Sequence, residues 1–293
     1  MTRNDIKDRS LLKLVLLLAL MQVSFSSFGQ TKNELSLYMQ GSFSKLDYEV
    51  LQQKSEMENG FGIGIRYAYF LNEHWSLATG VGMQYLKGSV SLPATGGAYD
   101  SQDPEGEAFE FRYRAEGISE NQQAYFLDIP LQVQYETGGN IRYYAAGGIK
   151  AGIVLDSQFD SQIRSLESSG YYPQYDVELA GPEFAGFGEF GPVKRSGAEL
   201  ELQTNVVLHL ENGVKFLLEN EKTFYIGLFL DYGLKDIQPK STDALYLPYD
   251  PQDPTSFTTS SVLASRLGTA SSPLAEEVKT IAFGLKIGYG LGF

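Results

Sequence analysis

The chain has no cysteine, two histidines and one tryptophan in 293 residues. Without cysteine it can build no disulfide framework and carry no lipid-modified cysteine behind a leader. Basic residues are scarce: 23 Lys and Arg face 36 Asp and Glu, a formal charge of −13, which argues against nucleic acid as a partner. Long apolar runs are also missing. The longest, Leu14 to Val23, is about ten residues, half of what a membrane-spanning helix needs. That run follows Arg3, Lys7, Arg9 and Lys13, diluted by Asp5 and Asp8, and leads to the small-residue site Ser27-Phe28-Gly29. The order is that of a secretory signal over residues 1–29, cleaved before Gln30. Losing its four basic and two acidic residues deepens the charge from −13 to −15.

Strict alternation takes the place of long runs. In the last stretch, Ile281, Phe283, Leu285, Ile287, Tyr289, Leu291 and Phe293 alternate with Thr280, Ala282, Gly284, Lys286, Gly288, Gly290 and Gly292. A period of two sends successive side chains to opposite faces of a strand. The same pattern occupies Leu35–Phe43, Phe61–Leu71, Trp75–Tyr85, Tyr125–Tyr135, Ile141–Leu155, Leu200–Leu218 and Phe224–Tyr232. The sixth of these segments, Leu200–Leu218, reads as one strand of nearly twenty residues, because its parity does not change at Asn212-Gly213.

Eight strands are expected, joined by connections that alternate long and short. The short ones hold turn residues such as Thr137-Gly138-Gly139-Asn140, where glycine and asparagine accept positive φ. The long ones, near residues 44–59, 88–120, 157–197 and 235–279, read as acidic, tyrosine-rich loops. Outer-membrane barrels have short periplasmic turns and long external loops. The expected fold is therefore all-β: an eight-stranded antiparallel up-and-down transmembrane β-barrel over residues 30–293, with four long extracellular loops.

A soluble barrel with its apolar face inward would show the same alternation. Two features favour the membrane. Trp75, Tyr135 and Tyr143 stand on the apolar face by the short turns, and Tyr85, Tyr125 and Tyr232 by the long loops, as in the aromatic girdles of membrane barrels. The opposite face is rich in glycine and alanine, which suits a narrow, strongly curved interior. It also carries Arg66, Asp128, Arg142, Lys150, Glu201, His209, Glu211, Lys215, Asp231 and Lys286. Eight strands leave room only for side chains. These groups are expected to pair into a polar plug, since buried unpaired charge is costly.

Phe126-Leu127-Asp128-Ile129-Pro130-Leu131, Ala146-Gly147-Gly148-Ile149-Lys150-Ala151-Gly152 and Tyr232-Gly233-Leu234-Lys235-Asp236-Ile237 give the chain a resemblance to the Bacteroidetes-type, PorT-like outer-membrane β-barrel family, with eight-stranded OmpA/OmpX-like barrels. The resemblance implies the fold and an integral place in the outer membrane. It implies no catalytic residues. It also implies outer-membrane lipid and the barrel-insertion machinery as partners, with Phe293 as the terminal aromatic signal that machinery reads.

Other residues invite chemistry. His209 shares a face with Glu211 and Glu201, which suggests a metal or acid–base site, but no partner of ligand spacing accompanies it. No cofactor, metal or enzymatic activity is therefore expected. Tyr99-Asp100-Ser101-Gln102-Asp103-Pro104 resembles Tyr249-Asp250-Pro251-Gln252-Asp253-Pro254, and Tyr171-Tyr172-Pro173-Gln174-Tyr175-Asp176 echoes both more loosely. Such segments could bind calcium or stack on sugars, yet they lack the ordered ligand set of a calcium loop and fit ordinary turn chemistry. The leading expectation is a surface binding, adhesion or envelope-complex protein that meets an external or envelope partner through its loops. A narrow channel is the alternative, with a membrane-embedded lipid hydrolase a third reading.

Overall fold

The computed structural model describes residues 33–270 and 273–293. The expected signal segment, residues 1–29, lies outside them. Among the described residues there are fourteen strands of three residues or more. In chain order they are β1 (Asn33–Asp47), β2 (Glu56–Phe70), β3 (Trp75–Leu92), β4 (Thr95–Gln102), β5 (Ala108–Glu116), β6 (Ile118–Glu136) and β7 (Ile141–Ile163), then β8 (Ser165–Tyr172), β9 (Val177–Leu179), β10 (Gly188–Phe190), β11 (Val193–Glu199), β12 (Asn205–Leu217), β13 (Lys222–Gly233) and β14 (Lys279–Gly292). Eight of them close a barrel in the order β12-β13-β14-β1-β2-β3-β6-β7, with β7 returning to β12. Every neighbour is antiparallel. Closure runs through β14 and β1, from Glu34 opposite Gly292 to Asp47 opposite Lys279.

The apolar parity points outward, as expected of a membrane barrel. Leu131 is 60 % exposed, Ile141 66 % and Leu285 58 %. Such a surface is unstable in water and at ease in hydrocarbon. The inner face owes its fit to small residues. The Tyr38 ring lies over Gly64 and Gly82, where a Cβ would come within 2.5 and 2.3 Å of its hydroxyl. Glycine on facing strands therefore makes room for one inward aromatic. Pro130, which lacks an N–H, interrupts the β3–β6 ladder between the Thr79–Leu131 and Gly82–Asp128 pairs. The Thr79 hydroxyl donates to its carbonyl at 2.8 Å.

The short turns are tight. Asn72 Oδ1 accepts the N–H groups of His74 and Trp75, both at 2.9 Å. Asn220 and Glu221 both adopt positive φ, the geometry of a two-residue hairpin turn.

Three strands far exceed the nine to eleven residues that cross a bilayer: β3 has 18, β6 19 and β7 23. The excess rises on the external side. On β7 it is reached through a bulge. Tyr125 pairs with Asp156 and Phe126 with Val154, so Leu155 is extra. One added residue inverts the parity. Below the bulge odd positions such as Ile149 and Ile153 face outward; above it Phe159 and Ile163 are buried. Asp156, whose even number continues the inward parity of Arg142 and Lys150, is exposed for this reason.

The sixth strand needs correction. It begins at Asn205, not Leu200. Before it the chain leaves the ladder, with Leu200 N–H bonded to Ser157 O and Gln203 N–H to Ile237 O. Leu200 and Leu202, expected to face lipid, are buried 2 % and 9 % exposed in an external core. Glu201 between them points to solvent and is not a lumen residue.

The long connections are not loose loops. β4 and β5 form a hairpin, β8 pairs with β5, and β9 and β10 both pair with β8, giving a five-stranded sheet. β11 adds to the outer end of β7. One face of the sheet buries Tyr99, Phe109, Phe111, Tyr113, Leu166 and Tyr172. Segments 234–270 and 273–278 have little regular structure, yet Ile237, Tyr246, Leu247, Val262, Leu263, Ala275 and Val278 join the same core. That core begins at the level of Phe126 and Phe229 in the barrel and continues upward. It forms an external cap closing the barrel mouth.

Candidate functional site

Two assemblies carry the polar chemistry: the lumen and the cap. In the middle of the lumen, His209 is fully buried. Its Nδ1 lies 2.5 Å from Asp231 and its Nε2 3.2 Å from Glu211. Each carboxylate has a lysine behind it, Lys150 on Asp231 at 2.8 Å and Lys286 on Glu211 at 2.7 Å. The result is a row that alternates in sign: Lys150, Asp231, His209, Glu211, Lys286. The Tyr144 hydroxyl donates to Glu211 at 2.7 Å, and Gln84 to Asp231 at 3.3 Å. Lys286 also stands 4.2 Å above the Tyr38 ring.

Nearer the periplasm, Lys215 reaches both Glu34 and Glu136 at 3.0 Å. Arg142, half-buried at the rim, is bonded to Glu136, and the Tyr225 hydroxyl to Glu34. Arg66 donates to Gln134 at 2.5 Å. Asp128 is buried further up the barrel, near Lys150 and Asp231 of the first row. Five acidic groups (Glu34, Asp128, Glu136, Glu211 and Asp231) thus share the lumen with five basic ones (Arg66, Arg142, Lys150, Lys215 and Lys286). Balance of sign lets charges of this kind tolerate burial. Of the residues expected in the lumen, the structure brings together all but Glu201. Glu34 and Glu136 were missed because they lie one position beyond the strand ends read from the apolar alternation. Their parity already marked them as inward.

The aromatic residues form two belts. Trp75 packs on Tyr135 with ring centroids 5.1 Å apart, and Tyr85 on Tyr125 at 4.8 Å. Tyr143 and Tyr232 are 52 % and 40 % exposed on the same outer face. Phe293 is exposed, and its backbone exchanges two hydrogen bonds of 2.8 Å with Asn33.

In the cap, the three similar tyrosine–aspartate segments meet. The Tyr99 hydroxyl donates to Leu247 O at 3.0 Å and accepts from the Tyr249 N–H at 2.6 Å. Tyr172 stacks on Phe109 at 5.4 Å, and Tyr249 meets the same ring edge-on at 5.2 Å. Burial pushes the Tyr99 phenol up to about 12. The aspartates turn the backbone: Asp103 Oδ1 accepts from Glu105 and Glu107 N–H, and Asp250 Oδ1 from Gln252 N–H. The repeated motif is thus a packing tyrosine followed by turn-forming aspartates.

One acid locks the cap to the barrel. Glu120 lies on β6, five residues beyond the Tyr125 girdle and outside the membrane band. It is fully buried. Its carboxylate accepts from Ser261 Oγ at 2.7 Å, Val262 N–H at 3.0 Å and Gln122 Nε2 at 2.8 Å. Burial outweighs these three donors and raises its pKa to about 7.

A closed antiparallel barrel with a lipid-facing apolar belt, two aromatic girdles and long elements on one end only is an integral outer-membrane protein. Residues 28–238 match the model of the outer membrane protein beta-barrel domain, and the chain belongs to that family. Among solved structures it is similar to the neisserial surface protein A, NspA, at 10 % identity over 88 % of this chain and 97 % of that one, with a TM-score of 0.33. It is similar to Ail of Yersinia pestis in complex with a heparin analogue at 12 % identity, covering 88 % and 99 %, with a TM-score of 0.31. It is also similar to OprG of Pseudomonas aeruginosa at 11 % identity, covering 90 % and 98 %, with a TM-score of 0.36. No curated protein matches it in sequence.

Proposed function

We propose that this outer-membrane barrel is a surface binding protein, an adhesin or a subunit of an envelope complex, that works through its external cap. The observation that supports this reading is the pairing of a cored, sheet-bearing cap with a lumen filled by mutually neutralising side chains. A channel needs an open path, whereas here Lys150, Asp231, His209, Glu211 and Lys286 form one continuous row of contacts inside the barrel. A hydrolase needs a reachable base and nucleophile, whereas both His209 nitrogens are engaged and the ring has no exposed surface. Within the family, the three motifs around Asp128, Lys150 and Asp236 favour the PorT-like, Bacteroidetes-type branch. Residues 1–29 act as the export signal, and a mature protein starting at Gln30 by N-terminal sequencing is the expected result.

The test is cross-linking in intact outer membranes, with wild type compared to a variant whose residues 165–190 are replaced by a short turn. The variant should keep the different migration of unheated and boiled protein that marks a closed barrel, and lose the partner captured by wild type. Equal capture by both would refute a role for the cap.

A further inference from the structure

Two hairpin tips meet at the rim of the cap: the β4–β5 turn, residues 103–107, and the β8–β9 turn, residues 173–176. Between them lies an open groove of about 290 Å³ lined by Asp103, Glu107, Tyr172, Tyr175, Val177 and Leu179. The Tyr172 hydroxyl donates to Asp103 Oδ2 and the Tyr175 hydroxyl to Glu107 Oε1, both at 3.0 Å. These bonds fix the carboxylates and leave each with acceptor capacity. Neither has a cationic partner among the described residues, although Glu110 and Glu178 on the neighbouring strands are both paired with Arg112. The rest of the lining is apolar. Tyr175 is 60 % exposed, Val177 43 % and Leu179 38 %. Odd positions of β9 thus present an apolar row to the groove.

β9 is also the end of its sheet. It pairs with β8 through Val177, Glu178 and Leu179, and no other described strand pairs with its outer edge. An open edge next to side-chain subsites is the geometry of strand addition by an extended peptide.

We propose that this groove takes an extended segment of a partner protein, which adds to β9 and places an arginine or lysine side chain between Asp103 and Glu107. The assignment rests on the surface-binding reading above and names the chemistry of its partner. Charge complementarity selects the occupant: two oriented carboxylates without a cation, on a chain of formal charge −13. The aromatic face of Tyr175 suits the stem and charge of a basic side chain. Val177 and Leu179 suit apolar side chains on alternate positions of the incoming strand. A glycan would use the carboxylates and the tyrosine, but leave the aliphatic row and the strand edge without a role.

The test uses full-length protein in nanodiscs and a labelled heptapeptide with arginine at position three, valine at positions one, five and seven of the same face and serine between them, with its citrulline analogue as the neutral isostere. The variant Asp103→Asn/Glu107→Gln removes charge while keeping one oxygen at each position, for the turn N–H groups at 103 and the Tyr175 hydroxyl at 107; the Tyr172 hydroxyl then accepts from the new side-chain amide at 103 instead of donating. Glu105→Gln/Glu183→Gln removes the same charge from exposed sites outside the groove. The arginine peptide should bind wild type at least about tenfold more tightly than the citrulline peptide, as expected for a charge-assisted contact. Asp103→Asn/Glu107→Gln should lose about that factor, and Glu105→Gln/Glu183→Gln should stay near wild type. Equal weakening in both variants would reduce the effect to net charge and overturn the site. Binding of oligosaccharide, but not peptide, that depends on Asp103 and Glu107 would overturn the partner class and leave the surface-binding reading standing. Unchanged partner capture by the variant lacking residues 165–190 would instead sink that reading itself.

Discussion

Glu120 makes the lock between cap and barrel sensitive to pH. With the cap closed, its carboxyl is buried with pKa about 7; with the cap open it returns to an ordinary value of 4.5. The closed state therefore binds more protons between those two pH values, and stability of closure falls as pH rises through that window. Below about 4.5 the contribution is fully present; above about 7 it has been lost. At 1.36 kcal/mol per unit, the loss is about 3 kcal/mol, or roughly 300-fold in the opening equilibrium. Glu120→Gln removes the charge and keeps one oxygen acceptor. It should abolish the pH dependence and stabilise closure at pH 8 by about 2 kcal/mol, the gain being reduced by about 1 kcal/mol for one lost hydrogen bond. The assay is hydrogen exchange at the Val262 amide and the rest of segment 234–270, corrected for intrinsic rates, at pH 5 and pH 8. Wild-type exchange that does not accelerate at pH 8 would refute the reasoning, as would a Glu120→Gln cap that opens more readily than wild type.

Lys215→Met should destabilise the barrel by about 3–5 kcal/mol, because Glu34 and Glu136 lose their shared cation in a buried site; a lower urea midpoint in detergent, followed by Trp75 fluorescence, checks this. Wild type in planar bilayers should pass no steady current, and long-lived conductance steps would contradict a filled lumen. Gly82→Val should cost about 1–3 kcal/mol by driving Tyr38 off its glycine bed, and the added change Tyr38→Ala should recover part of that loss in the same unfolding assay. Removing Phe293 should lower the amount of protein inserted in the outer membrane without changing peptide affinity per inserted molecule; normal surface levels would count against an assembly role.

The barrel was legible because one face of each membrane strand must be apolar over its whole crossing. That demand yields eight segments of fixed parity and places Arg66, Lys150, His209, Glu211, Asp231 and Lys286 together inside. It says nothing beyond the membrane. Above Tyr125 water replaces lipid, the inside becomes the apolar side, and the rule reverses. Phe109, Phe111, Tyr113 and Ala115 alternate with Glu110, Arg112, Arg114 and Glu116 as clearly as any crossing strand. Their charges make the stretch read as part of a polar loop, although strand alternation of this kind is a sufficient signal. Leu200 and Leu202 err in the opposite way. Their parity continues that of β12, although the chain has already left the ladder. The segment holding Tyr246, Leu247, Val262 and Leu263 has no period at all, so its burial could not be read from pattern.

The single extra residue at Leu155 sets a condition on engineering. Any attempt to graft this cap onto another eight-stranded barrel must carry the bulge with it. A splice made above Leu155 onto an unbulged strand would bring Phe159 and Ile163 to the outside and turn Gln158 and Asp160 into the core. Deleting Leu155 alone would do the same to the native chain. Inserting one residue at the matching height of a simple barrel would, conversely, prepare its rim to accept a hydrophobic superstructure. The external module and the membrane cylinder are thus interchangeable parts only when this one-residue change of phase travels with the join.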